Sequence, residues 1–221
     1  MANTLRDPAL TLLAIAGAIA LVFLSRALAR SGRLDPTLQR KSLHAAVGIW
    51  TLALTPWFHH LGWAIAAPLL FGILNASGKA RELLPGMAET ARDARGLWTF
   101  PLAVALTYLL FWEESPRPAI LAGVAALAIA DPAASLVGSR WGQRRLRPAP
   151  GGRTLEGSLV FLLVAAMTTG LVASETGGGA YPWRMGIGCG LVGAAVEALT
   201  PPGWDNLTIP LAVAAAYRLL T

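Results

Sequence analysis

Charge is what this sequence is short of. Only 14% of its 221 residues are Asp, Glu, Lys or Arg, against the roughly 25% of an ordinary soluble domain. Hydrophobic residues make up 55%, and the mean hydropathy is +0.55. That shortage excludes a solvated globular domain and identifies a membrane protein. Cysteine is scarcer still. Cys189 stands alone, which excludes a disulfide framework and a cysteine-based metal site and leaves it as a small apolar residue within a helix. Aromatic residues reach only 8%, and no basic stripe is interleaved with them. Nucleic-acid binding therefore has no footprint here, although the isoelectric point is about 10.4. Membrane orientation and anionic headgroups account for that basicity. Two motifs also lack their necessary surroundings. Gly188, Gly190 and Gly193 spell G-x-G-x-x-G, but no strand precedes them and no βαβ unit encloses them. Gly186 and Gly190 read instead as the G-x-x-x-G spacing of closely packed membrane helices. "GILNASGKA", ending near Lys79, has the wrong spacing for a phosphate loop and reads as a helix end and turn.

What is present is a series of apolar stretches, at about 8–29, 43–58, 61–76, 97–112, 118–138, 157–174, 183–200 and 206–220, each approaching the length that a ~30 Å hydrocarbon core requires. The expected fold is all-α, a polytopic integral membrane protein in one transmembrane domain, with helix 1 peripheral. The first stretch is followed by Arg26, Arg30 and Arg33 rather than a cleavage site, so it is expected to remain as an anchor. The basic residues test the count independently. The connections after helices 1, 3 and 5 hold 14 of the 18 Lys and Arg, and those after helices 2, 4 and 6 hold only Arg117. The positive-inside rule then puts the odd-to-even connections in the cytoplasm and both termini outside. The regular alternation fits eight spans, or six with two re-entrant pieces.

Polar residues inside these stretches are functional candidates by default, because a charge at the bilayer centre costs at least ~2.5 kcal/mol. Asp131 lies in "ALAIADPAASLVG". Ser135, Gly138 and Gly142 share its helical face, forming a narrow stripe able to admit a ligand or a metal, and Pro132 frees a backbone carbonyl beside it. The alternative is an aspartate paired to a neighbouring helix for structure. Glu156 stands in the first turn of helix 6, where the helix dipole favours it. The preceding "PAPGGRT" is a glycine-rich basic turn entering a helix N-terminus, a setting that attracts phosphate, and a carboxylate there can hold Mg²⁺. Glu197 lies within an apolar span. Asp205 and Asn206 follow a proline-broken connection, where Asp205 could also serve as a cap. Arg40, Lys41 and His44 stand at the mouth of helix 2, Lys41 and His44 on one face, with His44 inside the apolar stretch. His59 and His60 fall on the opposite side, at the interface.

Taken in order, "RKSLHAAVG", "ARGLWTFPLAVAL", "DPAASLVGSRWG", "RTLEGS" and "VEALTPPGWDNLTIPLA" resemble the multi-pass, CTP-dependent lipid-alcohol kinases, among them phytol kinase, farnesol kinase and dolichol kinase. The resemblance covers about residues 39–215. Its most specific parts are the D-x-x-A-x-x-x-G-x-x-x-G block, here Asp131, Ala134, Gly138 and Gly142, and the T-x-E-G-S block from Thr154 to Ser158. The family pattern carries lysine before that threonine, where this chain has Arg153, a planar fork in place of a point charge. The ending "DNLTIPLA" is closest to the phytol and farnesol kinases, implying a shorter prenol than dolichol.

The resemblance implies phosphoryl transfer from CTP to a prenol, with Mg²⁺ as cofactor and the bilayer as the source of substrate. It implies catalytic roles for Asp131, Glu156 and His44, the proton acceptor being either Asp131 or His44. Nucleotide binding would fall to Lys41, Arg95, Gly138, Gly142, Arg153, Thr154, Gly157, Ser158 and Asn206, and metal binding to Asp131, Glu156, Glu197 and Asp205. Two other readings stay open: a membrane cytidylyltransferase that makes CDP-lipid, and a transporter whose intramembrane carboxylates carry ions.

Overall fold

The computed structural model describes residues 5–33, 36–77, 91–113, 117–146, 152–177, 181–201 and 203–221. Lys79, Arg81, Arg147 and Gly151, expected in cytoplasmic connections, lie outside the described residues. Every regular element among the described residues is helical: α1 (Arg6–Arg30), α2 (Pro36–Leu54), α3 (Leu61–Ala76), α4 (Ala91–Phe111), α5 (Pro118–Trp141), α6 (Leu155–Glu175), α7 (Pro182–Leu199) and α8 (Asp205–Leu220). They coincide with the eight apolar stretches. The largest differences are at the starts of α2 and α4, which continue for a turn or two into the basic connections. Hydropathy marks the apolar part of a helix, whereas hydrogen bonding carries it further. Among the described residues three helices, α1, α5 and α6, are long and apolar enough to cross a membrane, while Leu61–Ala76 and Arg95–Phe111 are apolar but shorter. Leu12, Phe23, Leu163 and Met167 are all exposed, the surface expected of helices bathed in lipid.

Glycines set the helix spacing. A Cβ on Gly186 would lie 2.4 Å from the Ala166 carbonyl oxygen, and one on Gly190 2.8 Å from that of Leu162, so α7 meets α6 backbone to backbone, as the G-x-x-x-G spacing predicts. Phe161, Cys189, Ile209, Val213 and Tyr217 form the adjoining core, with Cys189 fully buried as an apolar residue. A second core joins Leu54, Phe58, Val104, Tyr108 and Ile120.

Two details of α5 position the chemistry. Residues Ala126–Ala130 form a π turn, in which the Asp131 N–H bonds to the Ala126 carbonyl. In that register the Leu127 carbonyl would take the N–H of residue 132, and proline has none. The carbonyl is left for another donor. The second detail is Gly48 of α2, where a Cβ would stand 2.3 Å from the Ala128 Cβ; without one, α2 lies directly on the π turn. At the far end, Asp7 of α1 accepts from the His59 and His60 amides and lies 2.7 Å from the His60 ring. This holds α1 to the α2–α3 connection and places both histidines at one end of the helices.

Candidate active site

Because Gly48 brings α2 onto α5, Lys41 and His44, on the same face of α2, reach residues 90 and 83 positions away. The Lys41 Nζ lies 3.0 Å from Asp131 Oδ2, with both side chains largely shielded. The His44 Nε2 lies 3.1 Å from the Leu127 carbonyl released by the π turn and Pro132. A carbonyl only accepts, so Nε2 donates and Nδ1 is left as an acceptor. The Phe100 ring of α4 backs the imidazole, with centroids 4.3 Å apart. Asp131 is fully buried, and its Oδ1 has no hydrogen-bond partner among the described residues. Leaving a charged acceptor in that state costs more than the ~1–3 kcal/mol of a neutral group. A cation bound there would remove the cost.

Beside this pair, Arg153 joins the start of α6 to the ends of α7 and α8. Its Nε stands 2.8 Å from Glu197 Oε1, and its Nη2 pairs with Asp205 Oδ2. Ser158 donates to the other Glu197 oxygen at 2.8 Å, and Asp205 Oδ1 accepts from the Gly203 and Asn206 amides. Burial alone would pull the guanidinium pKa down, and Asp205, Glu197 and Asp131 outweigh it, holding Arg153 above its ordinary value. Asp131 feels both Lys41 and Arg153. Lys41, Asp131, Arg153, Glu197 and Asp205 thus form one electrostatic cluster. Counted as full charges, two cations face three carboxylates, leaving one negative charge in excess.

The remaining candidates divide. Asn206 donates to the Gly96 carbonyl at 3.2 Å, next to Arg95 at the start of α4. Thr154 caps α6, its hydroxyl accepting from the Gly157 amide. Gly138 and Gly157 let that hydroxyl seat between α5 and α6: a Cβ on either would lie 2.8 or 3.1 Å from it, and one on Gly142 2.5 Å from the Thr154 methyl. The three glycines thus admit Thr154 between α5 and α6. Glu156 is not brought to the cluster; its carboxylate accepts from the Arg144 amide at 3.3 Å, closing the connection between α5 and α6. Among the described residues, no three His, Cys, Asp or Glu side chains converge to hold a metal. Any Mg²⁺ would therefore rest on one or two carboxylates completed by phosphate and water, as that ion commonly does.

Sequence reasoning passed over two features. Asn75, whose side chain donates to the Leu97 carbonyl at 2.7 Å, is a polar residue in an apolar helix, and the rule that marked Asp131 would have marked it too. The larger omission is a cavity of about 520 Å³ between α1, α2, α3 and α4, within the range of small-molecule sites. Arg26, Arg40, Lys41, His44, Asn75, Asp205 and Asn206 line one part of it, while the rest, Thr51 apart, is mainly apolar and aromatic. No pattern along the chain announces it, because its wall is made of ordinary apolar residues of four helices. Helix 1, expected at the periphery, supplies one side through Ala14, Ala18 and Val22.

No family model matches the chain, and no solved structure does. Curated relatives do. Over 176 residues the chain is 28% identical to the phytol kinase of Synechocystis, covering 78% of this chain and 74% of the relative. Over 234 residues it is 29% identical to a probable chloroplastic phytol kinase 2 of Glycine max, covering 98% and 76%. A probable chloroplastic phytol kinase of Triticum aestivum is 26% identical over 250 residues, covering 98% and 78%. The resemblance to prenol kinases thus extends along the chain, beyond the motifs that first suggested it.

Proposed function

We propose that the chain is a kinase that moves the γ-phosphoryl group of CTP to the hydroxyl of a membrane prenol, such as phytol, farnesol or geranylgeraniol, giving the prenyl monophosphate. In this reading its helices cross the bilayer eight times, with the basic connections and the site in the cytoplasm. One observation carries the proposal: the charged cluster opens onto a long apolar cavity through Lys41, His44 and Asp205. A substrate with a polar head and an isoprenoid tail has the matching shape, and the relatives named as phytol kinases act on such an alcohol.

The residues divide the work. His44 lines the cavity and Asp131 does not, so His44 Nδ1 is the acceptor able to meet the prenol hydroxyl. The hydroxyl oxygen attacks the γ-phosphorus, its proton passes to His44, the bond to the β-phosphate bridging oxygen breaks, and CDP leaves. Lys41 and Arg153 supply positive charge to the phosphates. Arg153 is held by Glu197 and Asp205, which fixes the orientation of its fork. The cluster's excess negative charge opposes a bare triphosphate, and Asp131, together with Asp205, would hold Mg²⁺. When bound, that ion would neutralise charge on the phosphates.

The test uses purified protein in detergent with Mg²⁺ and the three prenols. Label from γ-labelled CTP should enter an organic-soluble monophosphate, and none should enter from α-labelled CTP. Label from the α position, with phosphatidic acid present, would assign a cytidylyltransferase instead. No transfer from any of the four nucleotides would refute an enzyme of either kind and favour a transporter.

A further inference from the structure

The four helices around the cavity agree on its direction and depth. On α2 the lining runs from Lys41 to Leu54, on α4 from Gly96 to Tyr108, and on α1 and α3 it runs the opposite way, from Arg26 to Ala14 and from Asn75 to Ala64. At ~1.5 Å per residue each wall spans about 16–20 Å. Arg26 of α1, Lys41 of α2 and Asn75 of α3 stand at the same end, where the lining of α4 begins with Gly96. The cavity is therefore a tube, open to the charged cluster at one end and bounded by Leu54, Phe58 and Tyr108 at the other.

That far end is rigid. Tyr108 is 2% exposed and Phe58 4%. The Tyr108 hydroxyl is 2.6 Å from Thr55 Oγ1, and Tyr108 stacks edge-on against Trp112. Behind them Arg117 is buried, its guanidinium lying 4.0 Å over the Trp112 ring and within reach of the Thr55 carbonyl. An isoprenoid chain advancing from the cluster meets a ring locked from behind by a hydrogen bond and a cation. The wall has little freedom to yield.

We propose that Tyr108, seated on Thr55 and flanked by Phe58 and Leu54, is the stop that sets the longest prenol this site accepts. Ala67, halfway along α3 and 5% exposed, marks where a larger side chain would shorten the tube. The inference rests on the prenol-kinase reading for its substrate class, but the tube itself can be measured without turnover. Chain length is then read by the position of a wall, independently of the head-group chemistry.

The experiment is a ladder of farnesol, geranylgeraniol and solanesol offered to the purified full-length protein, Tyr108→Ala and Ala67→Phe. Two quantities are measured: kcat/KM for prenyl phosphate formation, and the rise in thermal unfolding temperature that each alcohol gives without nucleotide. Wild type should prefer geranylgeraniol to solanesol by at least about tenfold, since a pocket rejects excess apolar length on that scale. Tyr108→Ala should raise the relative use and binding of solanesol about tenfold, and Ala67→Phe should move the preference towards farnesol. Because the two variants push in opposite directions, loss of folding in one leaves the other decisive. Equal handling of all three alcohols by wild type, or an unchanged ladder in both variants, would overturn the stop. A ladder that shifts in binding while no variant transfers phosphate would instead overturn the kinase reading and leave the stop standing.

Discussion

Adding a single methyl group at Gly48 should disable the site without unfolding the protein. A Cβ there would lie 2.3 Å from the Ala128 Cβ and 3.1 Å from its Cα. Carbon atoms rest about 3.5–4.0 Å apart, so α2 must withdraw from the π turn by about 1.2–1.7 Å. His44 and Lys41 lie one and two turns away on that face and move with it. Stretching the Lys41–Asp131 pair from 3.0 Å to about 4.5 Å weakens its attraction by about 2 kcal/mol at an effective dielectric of about 20, and the hydrogen bond is lost. Alanine in place of glycine favours the helix by about 1 kcal/mol, offsetting part of that loss. Misplacement of reacting groups by about 1 Å costs about a hundredfold in rate. Gly48→Ala is expected to lower kcat for prenyl phosphate formation about a hundredfold while the unfolding temperature moves by only a few degrees. Gly62→Ala is the control, because among the described residues no atom beyond its own stretch of helix lies within 4 Å of its Cβ position; it should keep the wild-type rate. A Gly48→Ala protein with wild-type turnover would refute the claim that close approach of α2 builds the site.

Asp131→Asn leaves the largely shielded Lys41 without a carboxylate, so it should abolish turnover and lower stability by up to about 3 kcal/mol, read by thermal unfolding in detergent. Lys41→Met combined with Asp131→Leu removes both partners and should recover most of that stability. Arg153→Lys supplies one compact ammonium where a fork now spans Glu197 and Asp205; it should raise KM for CTP more than KM for prenol, and equal effects on both would contradict the bridging role. In a Cys189→Ala background, cysteines at Ser77 and Gln143, both exposed, should react with an impermeant thiol reagent only from the cytoplasmic side. One at exposed Glu175 should react only from outside, and same-side labelling of Gln143 and Glu175 would break the eight-span topology.

The helices were legible in the sequence because each is an uninterrupted apolar stretch, and their ends less so because helices outrun their apolar parts. Asp131 and Glu197 were legible as carboxylates where lipid-compatible residues surround them. The carbonyl freed by Pro132 was legible too, although not its partner: His44 lies 83 residues earlier, and spacing along one helix carries no information about another. Gly138, Gly142 and Gly157 show a different limit. A missing side chain serves a phosphate and a neighbouring helix equally well, and only the structure shows Thr154 filling the space. Glu156 follows the same logic, since a first-turn carboxylate can turn towards a metal or back to a loop amide. Tyr108 and Phe100 gave no sign at all, being aromatic residues in an apolar helix.

The most direct test of the central claim, that this buried cluster is the place of phosphoryl transfer, is single-turnover formation of prenyl monophosphate from γ-labelled CTP and geranylgeraniol by wild type and by the Lys41→Met, Asp131→Leu double variant. The double variant should bind the alcohol and unfold near the wild-type temperature yet form no product, while wild type forms it in a Mg²⁺-dependent burst. A folded double variant that makes prenyl phosphate at a rate comparable to wild type would contradict the account.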